Sequence, residues 1–157
     1  MKKFFVLAAI SCLGISCATA PAPRQITNSF PVNAPFEATW TAVIESFAEM
    51  NLPIMNMEKA SGLITTDWIS FGGNNQWVRY CDCGKLGLNE ERARRGKFNV
   101  FVKKADDASC EMKINAVFEV VVASALARNA PESIKTCVST GNFEAEICKN
   151  IMEKIAK

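Results

Sequence analysis

The chain has 157 residues, 18 of them basic and 16 acidic, no histidine, and 49% hydrophobic against 22% charged residues. Setting aside Lys2 and Lys3 leaves 16 charges of each sign, a balance that indicates neither nucleic acid nor a strongly charged partner. About 130 residues beyond the leader suit one domain closed around a single hydrophobic core.

Met1-Lys2-Lys3 is a short cationic start, and Phe4 to Ile15 is an apolar run too short and too weakly flanked to span a membrane. Together they read as an export signal. The residues that follow, Leu13-Gly14-Ile15-Ser16-Cys17, resemble the lipobox of bacterial lipoproteins, in which a small residue precedes the cysteine that receives diacylglycerol. That resemblance implies lipidation of Cys17, palmitate-type acyl chains and a membrane anchor. Ala18 in place of Asp implies sorting to the outer membrane. Two rivals are weaker. Cleavage after Ala18-Thr19-Ala20 would put Pro21 first, and a lipobox ending at Cys12 leaves only Phe4 to Ile10 as apolar core. The expected organisation is a signal peptide over 1–16, a lipidated tether over 17–25 containing Pro21 and Pro23, and a single domain over 26–157.

Within the domain, Ile26, Asn28, Phe30 and Val32 suggest an edge strand. Phe36, Trp40, Val43, Ile44 and Phe47 then share one helical face, predicting a helix over 34–50 with Asn33 as cap and Pro35 in the first turn. The β-branched run from Leu63 to Ile69, entered through Ser61-Gly62, pairs with 52–58 as a hairpin. Phe71 to Gly96 is too long for a structureless loop, so Gln76 to Tyr80 is read as a strand after a turn at Gly72-Gly73-Asn74-Asn75. Arg92, Arg94, Arg95 and Lys97 follow Glu90-Glu91 and read as a solvated turn, the alternative being contact with lipid phosphates or glycan.

A second hairpin joins Phe98, Val100 and Val102 to the face formed by Cys110, Met112, Ile114, Ala116, Phe118 and Val120, with Asp106 to Ser109 as its turn. Phe143, Ile147, Ile151 and Ile155 repeat every four residues and predict the last helix over 142–156, with late lysines suiting its C-terminal dipole. The order strand, helix, strands, helix gives an α+β two-layer sandwich, an antiparallel sheet with two helices packed on one face.

Five cysteines remain after Cys17, and an oxidising compartment should use most of them in disulfides. On one strand, Cys81 and Cys83 would point the same way with Cβ atoms about 6–7 Å apart, too far for a disulfide. Cys81-Asp82-Cys83 lacks the spacing of a redox motif, and no histidine assists a zinc site. No metal or cofactor is expected.

The run Pro35-Phe36-Glu37-Ala38-Thr39-Trp40-Thr41-Ala42-Val43, followed by Ser61-Gly62-Leu63-Ile64-Thr65-Thr66-Asp67-Trp68, is similar to small outer-membrane lipoproteins of the BamC (NlpB/DapX-type) family. Asp82-Cys83-Gly84 and Cys137 to Glu144 look like two further segments of such proteins. The resemblance implies a helix-grip-like domain, an envelope role without catalysis, and pairing of Cys83 with Cys137. BamC itself has two such domains and a long N-terminal region, whereas this chain has one domain and a short tether. A second bridge between Cys110 and Cys148 fits their positions, with Cys81 left over; two buried free thiols fit nearly as well.

Thr65, Thr66, Asp67, Asp82, Glu111 and Glu119 are scattered, and neither a nucleophile elbow nor a phosphate-cradling glycine pattern is present. The expected function is therefore a non-catalytic, membrane-anchored scaffold or interaction module that binds another envelope protein. The alternative is a periplasmic carrier holding a lipid-like ligand between sheet and helix. The first reading calls for an exposed apolar edge, the second for an internal cavity; Trp40, Trp68 and Trp77 are candidates for either surface, Trp40 being better explained as core.

Overall fold

The computed structural model describes residues 18–71, 77–127 and 129–156. The expected signal peptide and Cys17 lie outside them, as does the turn expected at Gly72 to Asn75. β1 (Ser29–Val32) leads into α1 (Phe36–Glu49). The cap position is Pro35 rather than Asn33, and its carbonyl accepts from both the amide and the hydroxyl of Thr39. The predicted apolar face is the one that faces inward: Trp40, Val43 and Phe47 are buried, with Phe36 and Ile44 at its margin.

β2 (Ile54–Glu58) and β3 (Leu63–Thr66) form the expected hairpin. Gly62 turns it with φ +73°, and a Cβ there would lie 2.0 Å from the Val102 carbonyl oxygen. Only glycine allows both that backbone angle and that approach. β4 (Ile69–Ser70) precedes α2 (Trp77–Tyr80), β5 (Cys81–Asp82), β6 (Asn89–Lys104), β7 (Cys110–Ser124), β8 (Ser133–Ser139) and α3 (Asn142–Ile155).

The strands form one antiparallel sheet in the order β2-β3-β6-β7-β8-β5, with β1 alongside the first half of β7 and β4 alongside β6. The architecture is α+β in two layers. Phe98, Val100 and Val102 alternate inward on β6, as do Met112, Ile114, Phe118 and Val120 on β7, beneath α1 and α3. Phe143 brings α3 onto this surface, its ring stacked on Phe98 at 3.9 Å and edge-on to Phe118 at 5.9 Å. Trp77 extends the aromatic cluster, 5.1 Å from Phe118.

Three expectations are corrected. Trp77 to Tyr80 is one helical turn, not a strand, and its two ends bury Trp77 and Tyr80 while Val78 and Arg79 face out. Arg92, Arg94, Arg95 and Lys97 lie within β6 rather than in a turn. The arginines pair with Glu90, Glu91 and Glu119, and Arg95 and Lys97 lie 4.5 and 4.9 Å from the half-buried Trp68 ring. The charge of the three arginines is neutralised within the sheet surface. The third concerns β6 and β7, which run well beyond the predicted segments, and β8, which the sequence reading did not anticipate although Ile134, Thr136 and Val138 are β-branched alternates.

Candidate functional site

The register of β5 on β8 sets Cys81 opposite Ser139 and Asp82 opposite Val138. Continuing it places Cys83 opposite Cys137, and these two form a disulfide with Cα atoms 4.1 Å apart. This is the pairing that the family resemblance implied. β5 ends at Asp82 and Gly84 has φ +68°, so the chain leaves extended geometry there and the Cys81 sulfur comes 3.9 Å from that of Cys83. All three sulfurs lie within 4.8 Å of one another. As expected, Cys81 and Cys83 do not bond each other: Cys83 pairs with Cys137 and Cys81 remains a free thiol.

The chemistry of this cluster is muted. Burial pushes the Cys81 thiol up to about 12, against a smaller opposing pull from Arg94, so little thiolate exists near neutrality. Cys83 and Cys137 are spent on each other. A cleft of about 440 Å³ beside them is lined by Trp77, Leu86, Arg94 and Arg24, among others.

Cys110 and Cys148 do not form the second bridge; both are buried free thiols. Cys110 lies at the hairpin end of β7, in register with Lys104 and Val32. α3 lands instead at Phe118 and Ala116, six to eight residues further along that strand. Each thiol fills apolar space as a small hydrophobe.

The segment before β1 packs more closely than a free tether. Thr19 and Lys85 exchange backbone hydrogen bonds of 3.0 and 3.2 Å, and Arg24 pairs with Asp82 at 3.0 Å. Gly84 admits this segment, since a Cβ there would lie 2.1 Å from the Thr19 carbonyl oxygen. A cleft of about 310 Å³ opens between the segment, Cys83, Lys85 and Lys135.

Glu144 is the one buried charged residue in the described core. β1 covers β7 up to Lys113 and β8 begins at Phe118, so the Ala116 amide faces a break between the two neighbouring strands. The Glu144 carboxylate accepts from that amide, and both its oxygens accept from the Ser139 hydroxyl at 2.9 Å. Burial raises its pKa above the usual carboxyl range, against opposing hydrogen bonds from its own amide, Ser139 and Ala116. A raised folded-state value means that this group's contribution to stability is full below the unfolded value near 4.3 and is lost as pH rises through the folded one. Glu144→Gln keeps an acceptor without the charge. Its melting temperature relative to wild type is therefore expected to rise between pH 4 and pH 8 in paired thermal scans; a relative fall would contradict the assignment.

The remaining candidate is the free edge of the sheet. All five residues of β2 are exposed, and three of them are large and apolar: Ile54, Met55 and Met57, the last two 74% and 50% exposed. The strand pairs with β3 on one side and ends the sheet on the other. The sequence placed a strand here but not its position at an edge, which depends on pairing distant in the chain.

The acidic and hydroxyl residues considered for catalysis are not brought together. Thr66 bonds the Phe98 backbone, Glu111 bonds Ser29, Glu119 pairs with Arg95, Asp82 with Arg24, and Asp67 accepts from the Trp68 amide. Of the tryptophans, Trp40 and Trp77 are buried and only Trp68 reaches the surface. No helix among the described residues is long and apolar enough to cross a membrane. No protein-family model matches the chain, and comparison with curated proteins likewise finds no match.

Proposed function

We propose that the chain is a non-catalytic lipoprotein of the outer membrane, anchored through Cys17, whose β2 edge takes up an extended segment of another envelope protein. The exposed apolar edge carries this reading. The outer edge of such a strand offers a row of backbone donors and acceptors, which natural sheets usually blunt with charge, proline or a covering loop. Pro53 precedes β2 and Glu58 ends it, but Ile54, Met55 and Met57 between them are left facing solvent. Strand addition uses such an edge: backbone hydrogen bonds give affinity, and alternate side chains give selectivity. Methionine suits the role, since its flexible thioether adapts to differently shaped partners. The BamC-like motifs support an envelope setting, and the Cys83–Cys137 disulfide suits an oxidising compartment.

The carrier alternative calls for space between sheet and helices. There Trp40, Val43 and Phe47 meet a sheet surface of buried Ile64, Val100, Met112 and Ile114. Of the clefts described above, the 310 Å³ one lies at the β5 edge, and the 440 Å³ one opens between α2, β5 and residues Glu91, Arg94 and Val120 of β6 and β7, with none of those core residues in its lining.

A photoreactive residue at Met55 in cells is expected to give a discrete protein adduct that disappears when Met57→Lys is added. The same probe at Lys103, on the sheet's hairpin end, should give none. Met57→Lys itself should leave stability within about 0.5 kcal/mol, being a surface change. Equal labelling at the two positions, or an adduct indifferent to Met57→Lys, would sink the edge-capture reading.

A further inference from the structure

We infer that the β5 edge of the domain, with Lys85 and Lys135, is the surface that rests on the phosphate groups of an anionic bilayer; this rests on the proposed lipidation of Cys17. The chain length leaves little choice. Thr19 is fixed to Lys85 by two backbone hydrogen bonds, and only Ala18 separates it from Cys17. Consecutive Cα atoms are 3.8 Å apart, so the acylated residue lies within about 7–8 Å of that bridge. The tether has no free length with which to hold the domain away from the membrane.

The surface reached in this way has the matching charge. Lys85 and Lys135 line the cleft beside Thr19 and Pro21, and neither ammonium joins an ion pair among the described residues. The carboxylates nearby are Asp82, already paired with Arg24, and Glu132, near Lys135 in sequence. Two lysines beside an acyl anchor supply the second, electrostatic signal that strengthens attachment to anionic lipid.

One consequence follows for the opposite edge. β5 and β2 end the same sheet with four strands between them, and five spacings of about 4.8 Å place β2 roughly 24 Å away. A bilayer at β5 leaves β2 facing outward, free to meet a partner.

The test uses the full protein purified from its native envelope, its acylation read by intact mass. It is reconstituted into phosphatidylglycerol vesicles or kept in neutral detergent, and lysine reactivity toward a membrane-impermeant amine reagent is mapped by mass spectrometry. Lys85 and Lys135 are expected to lose about fivefold or more of their reactivity on the vesicles, whereas Lys59, next to β2, should change little. An acylated protein whose Lys85 and Lys135 react equally in both settings would overturn the inference while leaving the anchor intact. Protection of Lys59 instead would reverse the orientation. A native chain with no acyl group would remove the anchor itself, and this inference with it.

Discussion

Phe118→Ala is expected to destabilise the folded chain by about 3–5 kcal/mol, the usual cost of emptying a buried phenylalanine site. Phe118 is fully buried at the point where three parts of the structure meet. Its ring touches Phe98 of β6, Phe143 of α3 and Trp77 of α2, and its backbone is in register with Cys137. Close approach is built into the surroundings: a Cβ on Gly96 would sit 3.0 Å from the Phe118 ring. The cavity left by alanine would be bounded by rigid rings that cannot collapse into it. Thermal unfolding should shift down by about 10 °C or more. A melting temperature within about 2 °C of wild type would mean that these aromatics are not packed as described.

The second large effect concerns the disulfide. Cys83 and Cys137 are 54 residues apart, and closing a loop of that size restricts the unfolded chain by about 4 kcal/mol on the chain-entropy model. Replacing both residues with alanine is expected to lower the urea midpoint by about 2 M, given slopes of 1–3 kcal/mol per molar. Both residues are replaced so that no free half-cystine is left beside Cys81, whose sulfur lies 3.9 Å from that of Cys83. Alkylation of the denatured, unreduced wild type should label Cys81, Cys110 and Cys148 and spare Cys83 and Cys137. A label on Cys137, or a midpoint shift below about 0.5 M, would contradict the assignment.

Both long helices were legible because their apolar stripes are strong and uninterrupted. The reading of 34–50 and 142–156 meets Phe36–Glu49 and Asn142–Ile155 within two residues. The alternation on β6 and β7 identified their inward faces for the same reason. Elsewhere the local pattern was silent or misleading. Trp77 to Tyr80 has strand-like composition, yet aromatic packing against Phe118 and Phe143 holds it as a helical turn. The arginines of β6 resemble a solvated turn because they follow Glu90-Glu91 in sequence, whereas the partner of Arg95, Glu119, comes from the neighbouring strand.

The site was legible in a different measure. Cys83 and Cys137 were paired through resemblance, not geometry, and the β5–β8 register supplies the reason. The failure of a Cys110–Cys148 bridge depends on where α3 lands on β7, which no local periodicity encodes. The exposure of Met55 and Met57 depends on strand order, and the docking of Thr19 on Lys85 depends on a glycine 65 residues further along, Gly84. These are long-range facts. Sequence marks the elements, while pairing between distant elements decides which residues are left facing outward.

The proposed anchor is the premise shared by the proposals for the β2 and β5 edges, so intact-mass measurement of the protein from its native envelope is the most direct test. The expected result is a chain of residues 17–157 carrying acyl mass, with that mass lost in Cys17→Ser. An unacylated chain beginning at Pro21 would contradict the account.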